Sequence, residues 1–457
     1  MNVCTTRLSK FSFEGLFSLS RFVAELTMKG WKQMLGTRTK LQQAIDEKQA
    51  TLLAILRQLV AFQTVSPPAR NTLDVQEFVK EQLTAAGFLV KQQAFYDQDA
   101  LVSGKLRGRE DSQHHSLLLN GHVDVAALTD RDRWQTDPFK LVQKGDQLYG
   151  RGVSDMKGAI ACFLYLFQLL KQLDIHLPGD LLFQSVVGEE AGEAGTKTLL
   201  KQGETADFAV VGDTSDLAFQ GQGGVVTGWI TLKSPHTYHD GNRVNMLRAG
   251  GGLKAASMVE KMPVVIEALQ KLEHYWAVTK QYPGFPAGTD TINPAYIEGG
   301  IHPAFVANEC RLWITVHFYP NETIQQVTQE IEAAVTAAAK ADPWLKETLP
   351  TFSWGGDSML VDKGEIFPPL AIDQSSPAVQ LLKQSHEQQL GKAPTINMST
   401  SVSDGGWFDF YHIPAVTYGP GEMQQAHSDN ETVRLSQLIN YTKIMADFVL
   451  TWCSQAK

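Results

Sequence analysis

Apolar residues recur at helical spacing between Thr39 and Phe62 (Leu41, Ile45, Leu52, Ile55, Leu56, Leu59), which predicts a helix there. Ser66-Pro67-Pro68 breaks that pattern. Leu73 to Ala86 reads as a second helix, closed by Gly87. A strand pattern follows over Phe88 to Phe95, then a short apolar strand from Ser116 to Leu119. A long helix is predicted from Gly158 to Leu173, with strands over Asp180 to Val187 and Asp207 to Val211. Strands alternating with helices predict an α/β layer with a largely parallel sheet.

The texture changes after Gly223. Val225 to Leu232 alternates like a strand, Gly252 to Trp276 reads as a helix, Glu309 to Phe318 as a strand, and Thr323 to Lys340 as an Ala-rich helix. Mixed α/β character returns after Pro343, with a helix near Ser376 to Leu390 and a strand near Ala415 to Tyr418. The simplest architecture is an α/β domain of residues 1–223 and 341–457, interrupted by a smaller α+β domain of residues 224–340.

Composition narrows the function classes. The chain has 457 residues, with 40 Lys plus Arg against 49 Asp plus Glu, a formal charge of −9. An acidic chain lacks the basic footprint that nucleic acid demands, and it suits an anionic membrane surface no better. The longest strongly apolar run, Gly158 to Leu170, is shorter than the ~18 residues of a membrane span. Cys4, Cys162, Cys310 and Cys453 are far apart and form no C-x-x-C pair. Free thiols in a chain of this size suit a reducing cytoplasm. Phe11 to Leu26 is moderately apolar but interrupted by Glu14, Arg21 and Glu25, so it reads as an extension and not a secretory signal. Met28 and Met34 offer later starting points.

Candidate chemistry gathers at strand ends. In Gly121-His122-Val123-Asp124, strand alternation turns His122 and Asp124 to the same side. That suits a metal-binding imidazole held by a carboxylate. Gly150-Arg151-Gly152-Val153-Ser154-Asp155 places Asp155 just before a helix, where capping is the ordinary alternative. In Gly188-Glu189-Glu190-Ala191-Gly192, adjacent carboxylates are costly unless something neutralises them. A divalent cation would, with one carboxylate as ligand and the other as general base. Gly212-Asp213 ends another apolar strand, and Ala426-His427-Ser428-Asp429 follows Gly419-Pro420-Gly421. Singly, each reads as a turn or cap. Together they lie where open α/β sheets bind ligands. Two His with several carboxylates and no Cys form an oxygen/nitrogen ligand set for Zn, Mn or Co.

These segments carry a resemblance. LLLNGHVDV, WQTDPF, LYGRGVSDMKG, VVGEEAGEAGT, VVGD and YGPGEMQQAHSDNE resemble the dinuclear zinc amidohydrolases that include acetylornithine deacetylase, succinyl-diaminopimelate desuccinylase, aminoacylases and zinc carboxypeptidases. The resemblance runs from about Ala50 to the C-terminus. It implies a zinc-peptidase-like catalytic domain with a mixed central sheet flanked by helices, and a lid or dimerisation domain inserted at 224–340. It implies two divalent metal ions, zinc first and cobalt or manganese as alternatives. His122 and Asp213 would serve one metal, Glu190 and His427 the other, and Asp155 would bridge them. Asp124 would orient His122, and Glu189 would be the general base. The oxyanion donor would be a lid histidine: His239, before the Asp240-Gly241 turn, or else His236. A homodimer formed through the lid is also implied.

Two segments depart from the family pattern. His317 in Thr315-Val316-His317-Phe318 stands where many relatives carry an Arg that grips a substrate carboxylate. Pro303-Ala304-Phe305-Val306-Ala307-Asn308 replaces the usual Asn-Val-x-Pro segment. His lacks the guanidinium fork, which weakens a desuccinylase reading. The expected activity is deacylation of an N-acyl amino acid, with acetylornithine leading and arginine biosynthesis as its setting. The alternatives are a dipeptidase or carboxypeptidase and a deformylase of a small N-acyl amine. A non-catalytic binding protein ranks last, because every expected ligand and the base are present.

Overall fold

The structure is a computed structural model and describes residues 35–235 and 256–457. The N-terminal extension, His236 and His239 lie outside the described residues.

The larger sheet has eight strands in the order Ile396–Ser399, Phe219–Gln222, Ala415–Thr417, Phe208–Val211, Leu117–His122, Leu181–Val186, Ala100–Leu106, Leu89–Ala94. The four from Ala415–Thr417 to Leu181–Val186 are mutually parallel. Ala100–Leu106 and Leu89–Ala94 pair antiparallel, so the sheet is mixed. Leu117–His122 and Leu181–Val186 are buried at every position, as interior strands covered on both faces are. The edge strand Leu89–Ala94 is largely exposed and carries Lys91, Gln92 and Gln93, polar groups that blunt an open edge.

Helices cover this sheet. Lys157–Gln172 is buried along almost its whole length, which an all-round apolar helix requires. It packs with Gln49–Ala61, Leu73–Ala85 and the C-terminal helix Leu435–Trp452 in one core cluster. The helical pattern expected across Thr39 to Phe62 divides at Lys48 into helix 35–47 and Gln49–Ala61. The Tyr165 hydroxyl sits at the break, 2.9 Å from the Ile45 carbonyl and 3.3 Å from that of Ala44.

A second, antiparallel sheet runs Thr291–Gly299, Glu309–Phe318, Gly224–Lys233, Thr351–Trp354, with Ile366–Phe367 also paired to Gly224–Lys233. Glu309–Phe318 alternates strictly in burial. Its inward residues Leu312, Ile314 and Val316 meet Met262, Val265, Ile331 and Val335 from helices Met258–Thr279 and Ile324–Ala341. Thr323 and Gln326 cap the second helix reciprocally. This sheet and its core extend beyond the expected boundary at Lys340: Leu345, Phe352 and Trp354 belong to the same cluster. Gly224–Lys233 would otherwise present a long unpaired edge. Only Gly223 separates that strand from Phe219–Gln222 of the larger sheet. Among the described residues, no helix is long and apolar enough to cross a membrane.

Candidate functional site

The parallel strands deliver their C-terminal ends to one cavity of about 680 Å³, within the usual range of ligand clefts. Asp155, Glu189, Glu190, Asp213 and His427 all line it. His122 lies just behind, its Nε2 3.3 Å from Asp155 Oδ1. The other Asp155 oxygen is 3.2 Å from His427 Nε2, so one carboxylate faces both imidazoles. Glu190 Oε2 reaches the same His427 nitrogen at 2.9 Å. Ligand atoms of His122, Asp155 and Glu190 lie within 4.8 Å of one another. Asp213 follows strand Phe208–Val211 and accepts the Thr214 N–H at 2.7 Å.

Asp124 acts through two different groups. Its main-chain carbonyl lies 3.0 Å from His122 Nδ1, while its carboxylate is 3.7 Å from that nitrogen. The carboxylate instead accepts the Glu190 N–H at 3.1 Å. Asp124 therefore orients His122 by its backbone and the Glu189–Glu190 turn by its side chain. Asp155 does not cap the helix it precedes: the N-cap is Met156, with no side-chain hydrogen bond there.

The loop presenting Asp155 is held from beneath. Glu431 accepts N–H groups from Gly152 at 2.9 Å, Ser154 at 2.7 Å and Asp155 at 3.0 Å. Arg151 Nη1 pairs with the same carboxylate at 2.8 Å, and both side chains are buried. Burial pushes the Glu431 carboxyl up to about 7, with Arg151 and the amides pulling it down.

Glu189–Ala191 is a single 3-10 turn between Gly188 and Gly192, both left-handed at φ 94° and 62°. Glu193 then anchors the turn. Arg70 grips it with Nη1 at 2.7 Å and Nη2 at 2.6 Å, a bidentate fork. Ser358 donates its hydroxyl to Glu193, and the Met359 N–H donates to the Ala191 carbonyl at 3.2 Å. Arg151, Glu193 and Glu431 have no assigned role in the sequence reading. Two of them lie inside the quoted motifs LYGRGVSDMKG and VVGEEAGEAGT, and Glu431 closes YGPGEMQQAHSDNE, so their signal was position within a motif without visible chemistry.

The electrostatics favour a cation. Burial raises the Glu189 carboxyl well above its ordinary range, with Asp213 and Glu190 adding to the shift. Burial and Asp155 push Asp213 up to about 8. Burial also raises Glu190. Asp155 goes the other way: burial opposes it, but the two imidazoles hold it below the usual carboxylate range. Asp155 and Glu190 push His427 up to about 11. His122 Nε2 and Glu190 Oε1 are buried without a hydrogen-bond partner among the described residues. Buried polar atoms of that kind call for a ligand, and imidazole nitrogens with carboxylate oxygens fit a zinc-type ion.

Three departures from expectation concern the smaller sheet. His317 sits near the end of strand Glu309–Phe318, opposite Val225 and Thr291, where burial lowers its pKa, and it is not among the cavity-lining residues. Glu365 and Phe367, which sequence reading did not single out, do line the cavity. Both come from beyond residue 340.

Fold and site together define a metal-dependent hydrolase. Residues 118–451 match Peptidase family M20/M25/M40, and the chain belongs to that family. It is 51% identical over 417 residues to the N-formyl-4-amino-5-aminomethyl-2-methylpyrimidine deformylase of Bacillus subtilis (strain 168), covering 91% of this chain and 98% of that one. It is 25% identical over 414 residues to the acetylornithine deacetylase of Myxococcus xanthus, covering 88% and 97%. Among solved structures it resembles the dinuclear metal-binding M20 peptidase YXEP of Bacillus subtilis. The TM-score is 0.60 at 13% identity, covering 88% of this chain and 98% of that one.

Proposed function

We propose that this protein removes the formyl group from an N-formyl aminomethylpyrimidine, the substrate named for its 51%-identical relative. That identity, over nearly the full length of both chains, carries the reading. Acetylornithine deacetylase stands at 25%, so the amino-acid deacylase expectation and its arginine-biosynthesis setting take second place. The absence of an Arg at His317 agrees, since a formamide offers no carboxylate to clamp.

His122 and Asp213 would hold one divalent cation, Glu190 and His427 the other, with Asp155 shared between them. The contacts of Asp155 with both imidazoles support this division. Zinc is the ion these donors favour. When bound, the cations supply Lewis acidity and a lowered pKa for water. Glu189 supplies the base. Both adjacent carboxylates line the cavity, but Glu190 is paired with His427, whereas Glu189 forms no ion pair among the described residues. Glu189 accepts the proton of the attacking water, and the hydroxyl adds to the formyl carbon. The C–N bond breaks, and Glu189 returns the proton to the amine nitrogen. The products are formate and the free aminomethylpyrimidine. By resemblance, His239 donates to the oxyanion, and the protein acts in the cytoplasm as a homodimer joined through the smaller domain.

The test is a substrate panel on protein of measured metal content: the N-formyl aminopyrimidine, N-acetylornithine and dipeptides. The proposal expects formate release from the first at the highest kcat/KM. Preferential cleavage of acetylornithine or of dipeptides would sink it.

A further inference from the structure

One carboxylate in the cavity has no part in the hydrolytic chemistry. Glu365 lines the cavity from the smaller sheet's side. Its main chain is fixed by Thr227: the Glu365 N–H donates to Thr227 Oγ at 2.9 Å, and its carbonyl accepts the Thr227 N–H at 3.2 Å. Its carboxylate forms no hydrogen bond or ion pair among the described residues, and burial alone raises its pKa. It lies against Gly192, where an added Cβ would collide with the carboxylate and approach Met359 Cγ to 2.9 Å. The carboxylate therefore sits beside the turn that carries Glu189 and Glu190.

A half-buried carboxylate that lines a cavity without a protein partner is available to pair with a ligand. The substrate class proposed above carries a matching edge. An aminopyrimidine presents an amino N–H beside a ring nitrogen, and a carboxyl group meets that pair with two parallel hydrogen bonds. Either proton arrangement serves: a carboxylate against a protonated ring, or a carboxylic acid against a neutral one. The amino group adjoins the ring carbon that bears the formamidomethyl arm. The edge and the formyl group are thus only a few bonds apart in the substrate, and the Glu365 carboxylate and the Glu189 turn are neighbours in the cavity. Phe367 and Met359 line the same cavity and offer apolar surface to the ring.

We infer that Glu365 is a specificity-determining residue, binding the amino group and the adjoining ring nitrogen of the aminopyrimidine. This rests on the proposed deformylase reading, and the test separates the two. Zinc-loaded wild type, Glu365→Ala and Glu365→Gln are compared on the N-formyl aminopyrimidine and on an analogue with hydrogen in place of the ring amino group. Metal content and melting temperature are checked for each. Wild type should prefer the amino compound by about tenfold or more. Glu365→Ala should lose about 10- to 100-fold in kcat/KM on the amino compound and a clearly smaller factor on the analogue, which keeps only the ring nitrogen. Glu365→Gln should recover most of the loss, because a carboxamide offers one acceptor and one donor in the same places. Binding of the aminomethylpyrimidine product, measured by calorimetry, should weaken in Glu365→Ala by a similar factor.

Equal losses on both compounds, no loss in Glu365→Ala, no rescue by Glu365→Gln, or a wild type indifferent to the amino group would each overturn the role of Glu365 while leaving deformylation standing. A wild type that releases no formate from the amino compound would overturn both.

Discussion

Two neighbouring glutamates occupy different surroundings. Asp124 accepts the Glu190 main-chain N–H, and the Glu190 carboxylate lies 2.9 Å from His427. Glu189 lines the cavity with no ion pair among the described residues and a raised pKa. Replacing Glu189 by Gln should lower kcat by about 10²- to 10⁴-fold, with zinc content unchanged by elemental analysis. Loss of the metals in that variant would contradict its assignment as base. His427 yields a second prediction. Asp155 and Glu190 push its ring up to about 11 from an ordinary 6.5. In metal-free protein this raised pKa contributes stability that is present below about 6.5 and lost as pH rises through about 11. A metal ligand must be unprotonated, so zinc binding at pH 7 should release protons and weaken as pH falls. Calorimetric titration in buffers of different ionisation enthalpy measures that release, and none at pH 7 would refute it.

At the scale of elements, the loop Gly150–Asp155 is the structural support of the site. Three of its amides and one guanidinium converge on Glu431. Removing one member of such a buried pair costs about 3–5 kcal/mol. Glu431→Ala should therefore lower both the melting temperature and the zinc affinity, although Glu431 is not a proposed ligand. A variant that melted normally and bound zinc normally would show that the loop holds without it. The same contrast explains what was legible in the sequence. His122, Glu190 and Asp213 stand within two residues of a glycine at strand ends, a local pattern that periodicity exposes, whereas Asp155 and His427 were read from their motifs. Glu431 and Glu193 matter through partners more than a hundred residues away, and no local pattern carries that. Strands divided likewise. Leu117–His122 and Leu181–Val186 announced themselves by apolar runs. Phe219–Gln222 did not, because its Gln222 is buried by hydrogen bonds to Pro368 and Ser403 and not by apolar character.

For the whole molecule, metal and fold are linked. The proposed ligand atoms come from the ends of several strands and from the segment leading to the C-terminal helix, so metal binding there would draw distant parts of the chain together. A ligand that binds only the native state stabilises by about 2.7 kcal/mol at a hundredfold excess over its Kd. Chelation should lower the melting temperature by several degrees, and graded zinc should restore it in proportion to the logarithm of its concentration. A melting temperature indifferent to chelator would argue against ligands spread across the fold. The two sheets were legible as two textures, but not their border. The strand Thr351–Trp354 is far from Gly224–Lys233 in sequence and pairs with it only in space.

The turn carrying Glu189 is fastened from both sides. Arg70 secures it to the larger sheet, while Ser358 and Met359 tie it to the loop that serves the smaller one. Any hinge motion that separates the sheets must stretch those last two bonds. The position of Glu189 is therefore not set by its own strand alone, because contacts on both sides of the turn hold it.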